Sequence, residues 1–393
     1  MKDVYASVRA IGMDVHAKFT TVSMRDANGD IVRRERLDHR DRAALRRRLL
    51  RWPGEASVVL EASFGWPWLG DLMQDCGLSP MLSNCYKIEQ MRKARGMAKT
   101  NKKDADLLSL LAFEVDQWWR VWLAPPDVRD AREWMRHRAS LVQIQTQTKN
   151  RIAALLHRHG ILHEFSDLYG TGGRQFLADV CRQCGTAEVS LPPGAVATLV
   201  DLLDLLAHIR GQLARIAQEL RRQLQRSDLA RRLDGIPGIA LILSHTLIAE
   251  IGRIGRFRDH RALASYSLLA PIAHDSGEET GKPPLGRHLG RRGNRTLKWV
   301  FIEAAHGAVR KGGKWRRLFD SVTDGGKNNR SRGYIKVARE LVKVVYVVWK
   351  KNVAYTDTPP TRPGRSPRQR SEAFLQDTRP GTGQPCRPMA AVQ

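Results

Sequence analysis

The sequence predicts three fold types in series: an α/β N-terminal domain (residues 1–124), a helical coiled-coil middle (125–230) and a mainly α C-terminal domain (231–355). Three observations carry this. Short apolar runs alternate with helix-like stretches up to about residue 124. Leu199, Leu202, Leu206, Ile209, Leu213, Ile216 and Leu220 fall at alternating three- and four-residue steps, the heptad spacing of a coiled coil or a helical hairpin. Beyond residue 231 the pattern is mainly helical, until Pro, Arg, Gly and Gln take over in 356–393, a composition expected to be a disordered basic tail.

In order along the first part, Val8 to Val15 and Thr20 to Arg25 read as strands. Asp26-Ala27-Asn28-Gly29-Asp30 offers residues that accept positive φ and turns the chain back into Ile31 to Arg36. A helix follows from Asp41 to Trp52, stopped by Pro53-Gly54. Ser57 to Glu61 is a short apolar strand, Trp66 to Cys76 a helix, and Pro80 to Leu82 a strand. Lys103 to Val115 is a helix with Leu107, Leu108, Leu110 and Leu111 on a broad apolar face. Three antiparallel strands, then alternating helices and strands, is the element order of an RNase H-like core.

Pro125-Pro126 marks a boundary, after which Val128 to His159 is helical and very basic. Asp234-Gly235-Ile236-Pro237-Gly238-Ile239 lies between two helical stretches. Such a turn presents backbone N–H groups to a phosphate or is a plain interhelical connection. Five cysteines are an odd number for a disulfide framework. Cys181 and Cys184 form a CxxC with no second ligand pair nearby, so ordinary thiols are expected.

Charge narrows the partners. Lys and Arg number 66 against 40 Asp and Glu, a formal net charge of +26. Such an excess attracts polyanions through counterion release. The sequence shows no signal-peptide pattern and no apolar stretch long enough to cross a bilayer; the run from Ile236 to Ile251 is interrupted by Ser244, His245 and Glu250. Nucleic acid is therefore the expected polyanion, with no membrane partner and a cytoplasmic, nucleoid-associated location.

Two constellations carry candidate chemistry. Asp14 alternates with Ile11, Met13 and Val15, so it shares the opposite strand face with Gly12. Glu61 ends the strand Val58-Val59-Leu60, and Asp104 opens the Leu-rich helix one turn after Asn101. Carboxylates converging from separate elements suit a hard cation such as Mg²⁺; a turn residue, a cap and a helix N-terminal charge are the alternative reading. Downstream, Ser276 sits in Asp275-Ser276-Gly277 beside His274, followed by Arg287, His288, Arg291, Arg292, Arg295 and Lys298 around Gly290 and Gly293. Arginine forks and close-packed glycines suit phosphate contacts, and a solvated charged face is the alternative.

Gly12-Met13-Asp14-Val15-His16, Leu60-Glu61-Ala62 and Lys99-Thr100-Asn101-Lys102-Lys103-Asp104-Ala105 stand in order ahead of Ile236-Pro237-Gly238-Ile239, Glu250-Ile251-Gly252, Arg256-Phe257, Leu263-Ala264-Ser265-Tyr266, Pro271 and Ser276-Gly277. In this order and spacing, over roughly residues 9 to 350, the chain resembles the DEDD-type transposases of the bridge-RNA-guided insertion-sequence family (IS one-ten). The resemblance implies a RuvC-like N-terminal domain whose Asp14, Glu61 and Asp104 bind Mg²⁺ (or Mn²⁺), and a C-terminal domain whose Ser276 is the nucleophile. It implies DNA partners (element ends and target), a non-coding guide RNA and a homo-oligomer, dimer or tetramer. One position departs from the pattern: Asn101 stands where the family has its third acidic residue, an uncharged oxygen donor in place of a carboxylate. A metal-dependent RuvC-like nuclease indifferent to Ser276, and a catalytically decayed nucleic-acid-binding protein, are the alternatives.

Overall fold

Strands with one apolar face on each side of a sheet need helices on both sides, and the N-terminal residues supply them. The computed structural model describes residues 5–114, 116–182, 191–271, 289 and 292–357. The chain divides into two units, Met1–Pro126 and Asp127–Gln393.

In the first unit, β1 (Ala10–Val15), β2 (Phe19–Arg25) and β3 (Ile31–Asp38) form an antiparallel meander. The turn between β2 and β3 uses Gly29 at φ +85°. Then come α1 (Arg42–Leu49), β4 (Ser57–Glu61), α2 (Trp66–Asp75), β5 (Pro80–Ser83), α3 (Cys85–Ala94), α4 (Asn101–Leu111) and β6 (Arg120–Val121). The sheet order is β3-β2-β1-β4-β5-β6, with β4 and β5 parallel to β1 and β6 antiparallel to β5. This is the strand order expected of an RNase H-like core.

Every residue of β1 is buried, because the two faces pack on different helices. Ile11, Met13 and Val15 join Leu45 and Leu49 of α1 and Leu69 and Met73 of α2 in one core. On the other side Val59 meets Leu107, Leu108 and Leu111 of α4 and Ile88 of α3. Leu110, expected on that apolar face, is only half-buried, and Ala105 takes a buried place there instead. Helix α3 has no counterpart in the sequence expectations. It is capped by the Asn84 side chain, which accepts from the Tyr86 and Lys87 amides, and its only buried residue is Ile88, too few for a visible period.

The second unit is helical among its described residues. It runs α5 (Pro126–Arg158), α6 (Thr171–Arg182), α7 (Pro193–Arg226), α8 (Asp228–Asp234), α9 (Leu241–Ile251), α10 (His260–Tyr266), α11 (Arg295–Lys311), α12 (Gly313–Thr323) and α13 (Arg330–Lys351). The heptad stripe of α7 packs inside the chain. Its first half (Leu199, Leu202, Leu206) meets Ile152, Leu155 and Leu156 near the end of α5, together with Leu177 of α6. Its second half (Ile209, Ile216, Leu220) meets Met135 and Leu141 earlier in α5, and Ala249 of α9. The pairing is antiparallel, the helical-hairpin alternative, and the stripe is buried without a second subunit. Leu213 is half-buried and interrupts it.

A second core gathers α8 to α13, with Leu297, Val300, Phe301 and Ala304 of α11 facing Val337, Ala338 and Leu341 of α13. Gly238, at φ +85°, touches α11 so closely that a Cβ there would sit 2.0 Å from the Ala304 carbonyl oxygen. The Ile236-Pro237-Gly238-Ile239 turn therefore spends its glycine on packing α11. Of the two readings of this turn, the packing of Gly238 on α11 accords with a plain interhelical connection.

Candidate active site

The three acidic positions come together at the C-terminal end of β1 and β4. The parallel register pairs Met13 with Leu60, so Asp14 and Glu61 stand side by side one step further on. Gly12, two residues before Asp14 on the same face, brings α4 against the sheet. A Cβ on Gly12 would lie 2.2 Å from the Ala105 carbonyl oxygen and 2.1 Å from the Ser109 amide nitrogen. That contact sets Asp104, in the first turn of α4, beside the strand ends. Thr100 caps the helix by accepting from the Lys103 amide at 3.2 Å.

Electrostatics record the convergence. Asp14 is 7% exposed. Burial pushes its carboxyl above the ordinary range; His16 opposes the rise, and the like charges of Asp104 and Glu61 add to it. Burial raises the Asp104 carboxyl too, against the pull of Arg92 and Lys99. His16 Nε2 lies 3.0 Å from Asp14 Oδ2. Cys85, at the start of α3, donates its thiol to the Ala62 carbonyl at 3.3 Å, and burial with the nearby Glu61 carboxylate pushes that thiol up to about 11. His16 and Cys85 are site neighbours that the motif analysis did not single out. The signal for His16 was its place two residues past Asp14, on the same side of the chain; for Cys85 it was its place just past β5.

An all-oxygen carboxylate set short of countercharge fits a hard divalent cation. Among the described residues no group of three His, Cys, Asp or Glu side chains stands close enough to hold a metal ion by itself. Asn101 begins α4, exposed, one turn before Asp104. Asp106 faces away. Arg34 donates through Nε and Nη2 to its two carboxylate oxygens, each at 2.9 Å. Burial raises Asp106, but the Arg34 fork and the Ser23 hydroxyl outweigh it and hold the carboxyl below its usual range.

In the second unit Glu250 is 0% exposed. Arg136 donates to both its oxygens at 2.8 and 3.0 Å, and Asn294 Nδ2 donates at 2.7 Å. Asn294 also caps α11, accepting from the Leu297 amide. Gly293 is pressed on the Tyr266 carbonyl, 2.6 Å from where a Cβ would be; the Asn294 amide donates to that same carbonyl at 2.7 Å. Pro271 and Leu289 form an antiparallel bridge. Ser276, its neighbours Asp275 and Gly277, and Arg287 and Arg291 lie outside the described residues, as does Cys184. Of the basic run, Arg292 and Arg295 are exposed and Lys298 half-buried at the start of α11. Cys181 is half-buried, and burial raises its thiol.

A DEDD-type IS110 transposase model matches residues 11–161, and the model of the Transposase IS116/IS110/IS902 family matches residues 230–320. The chain belongs to the IS110 family of DEDD transposases. Among curated relatives, the insertion element IS116 uncharacterized 44.8 kDa protein of Streptomyces clavuligerus is 28% identical, over 44% of this chain and 43% of its own length. The transposase for insertion sequence element IS1111A of Coxiella burnetii is 24% identical, over 64% of this chain and 66% of its own. The transposase for insertion sequence element IS1328 of Yersinia enterocolitica is 27% identical over 40% of this chain and 45% of its own. The matches thus span from under half to about two-thirds of these relatives. The first family match contains Asp14, Glu61, Asn101 and Asp104; the second contains Ser276, Arg287, Arg291, Arg292, Arg295 and Lys298. No described helix of this transposase-family chain is long and apolar enough to cross a membrane.

Proposed function

We propose that this member of the IS110 family is a DNA transposase that excises and inserts a mobile element by serine-dependent strand exchange. The observation that carries the reading is the gathering of Asp14, Glu61 and Asp104 at one sheet end, where burial and mutual repulsion raise Asp14. Mg²⁺ or Mn²⁺ held by these carboxylates, with the Asn101 amide oxygen as a fourth donor, would supply countercharge for a reacting phosphodiester. Ser276 Oγ attacks phosphorus, the new O–P bond replaces the bond to the 3′ oxygen, and the leaving oxygen takes a proton. The product is a phosphoserine link and a free 3′-hydroxyl, which re-forms the phosphodiester by the reverse attack. Bond energy is kept throughout, so no external energy source is needed.

Arg287, Arg291, Arg292, Arg295 and Lys298 contact phosphates in this reading, and the net charge of +26 supports extended backbone binding. A non-coding guide RNA selects the DNA by base pairing, which leaves the protein mainly backbone contacts to make. The chain works on DNA as a homo-oligomer.

The test is a trap for covalent protein–DNA adducts in cells carrying the gene with its native flanks. An adduct lost in both Ser276→Ala and Asp14→Ala is the expected result. Cleavage without an adduct, indifferent to Ser276, would replace the reading with a hydrolytic metal nuclease.

A further inference from the structure

Phe64 lies in the turn between β4 and α2. Its side chain is 106% exposed, the most exposed large apolar residue among those described. It stands three residues past Glu61, and its backbone is pinned on both sides. The Ala62 amide donates to the Ser83 carbonyl at 3.0 Å, and the Ser63 amide turns back onto the Glu61 carbonyl at 2.8 Å. Gly65 is pressed on Val15, with only 2.9 Å between a would-be Cβ and Val15 Cγ1. Trp66 then starts α2. A short, tied turn thus holds an apolar ring in water beside the strand that carries Asp14.

The surroundings indicate what covers it. At the same end of the sheet the His16 ring lies 4.7 Å from the Phe19 ring, and the Arg36 guanidinium is 3.8 Å from the centre of Phe19. The Arg42 guanidinium sits 3.4 Å over Trp68, with His39 edge-on to the same ring at 4.8 Å. Aromatic faces interleaved with cations, around carboxylates that fit a divalent cation, match a nucleic acid strand with its bases turned out.

We propose that Phe64 is a stacking residue for an unpaired nucleobase of the strand held at the acidic site. A ring fixed there takes the π-face of one base next to the phosphate at Asp14, Glu61 and Asp104, and so keeps the strand open and in register. The inference rests on the reading that nucleic acid occupies this acidic site.

The experiment uses the full chain and a 20-nucleotide oligothymidylate, with Ca²⁺ in place of Mg²⁺ to leave the strand uncut. Phe64→Ala should weaken binding roughly 5- to 150-fold, the range of one lost base stack. Phe64→Trp should restore it, Phe64→Leu should not, and an abasic strand of equal length should bind the wild type at least as weakly as oligothymidylate binds Phe64→Ala, with Phe64→Ala making no further difference to the abasic strand. Unchanged binding in Phe64→Ala, or full restoration by Phe64→Leu, overturns the proposal. So does a change in sedimentation with unchanged strand binding, which assigns the ring to a protein contact. If binding responds to Asp14→Ala and to Ca²⁺ but ignores Phe64, only this inference fails. If it ignores all three, the functional reading fails and takes the inference with it.

Discussion

Gly12 and the Ala105 carbonyl oxygen meet so closely that a single methyl group on Gly12 would lie 2.2 Å from that oxygen. The contact presses α4 onto β1, and Asp104 reaches the strand ends because its neighbour Ala105 is held there. The obstruction is backbone on both counts, since the Ser109 amide is equally near. Gly12→Ala should cost at least about 3 kcal/mol of stability, at or above the usual range for overpacking. Urea unfolding checks it. A loss under about 1 kcal/mol would mean α4 slides freely.

Asp14 and Asp104 work against the metal-free fold. A carboxyl raised in the folded state gives stability that is full below its unfolded pKa and fades as pH climbs through the folded value. Metal-free protein should therefore lose stability from these two groups between acid and neutral pH. Asp14→Asn should melt higher than the wild type at pH 7 without metal, with the gap closing near pH 4. Mg²⁺ should raise the wild-type melting temperature and leave the variant's nearly unmoved. Equal melting curves at pH 7 would contradict this.

Asn101 is exposed at the head of α4, one turn from Asp104. Asn101→Asp adds a fourth carboxylate to a site already short of countercharge. Titration calorimetry should show tighter Mg²⁺ binding, about tenfold. The metal-free variant should be no more stable than the wild type.

Arg34 and Asp106 fasten the opposite flank of α4 to β3 through a two-pronged bond. Arg25 reinforces it, donating to the Asp106 carbonyl at 3.2 Å and the Ser109 hydroxyl at 2.9 Å. Asp106→Ala should cost about 1–3 kcal/mol and leave Mg²⁺ affinity within twofold. A collapse of metal binding with intact stability would place Asp106 in the metal site instead.

Glu250 is the opposite case to Asp14. Burial alone would raise its carboxyl, but Arg136 and Asn294 bind the charged form and hold it below the usual range. Its contribution is present at neutral pH and fades as pH falls through the folded value. Glu250→Ala leaves the half-exposed Arg136 and the Asn294 amide without their partner and should cost about 1–3 kcal/mol. Glu250→Gln should lose less, with a flatter acid side to its stability profile.

Much of the first unit was legible because alternation in β1 and β2 leaves little choice of face and β4 is a short continuous apolar run. Asp14 could be placed beside Gly12 from period two alone, and that face is where α4 packs. Helix α3 was not legible, because one buried residue makes no period. The glycines teach a sharper lesson. Gly238 and Gly293 announce a close approach, and within the chain the Ala304 and Tyr266 carbonyls are what approaches. A sequence shows that space is needed without showing what fills it. The α7 stripe likewise announced an apolar partner, and α5 of the same chain supplies it. Cys85 became a neighbour of the carboxylates only through the sheet order, which no local motif encodes, whereas His16 stands two residues past Asp14 in the chain itself.

The antiparallel pairing of α5 and α7 also fixes a length. Thirty-three and thirty-four residues at about 1.5 Å per residue make a rod about 50 Å long. That is the rise of about 15 base pairs of B-form DNA. Apolar residues of both helices share two cores along that distance. A deletion of one heptad from each helix would shorten it by about 10 Å and keep every surviving layer in register.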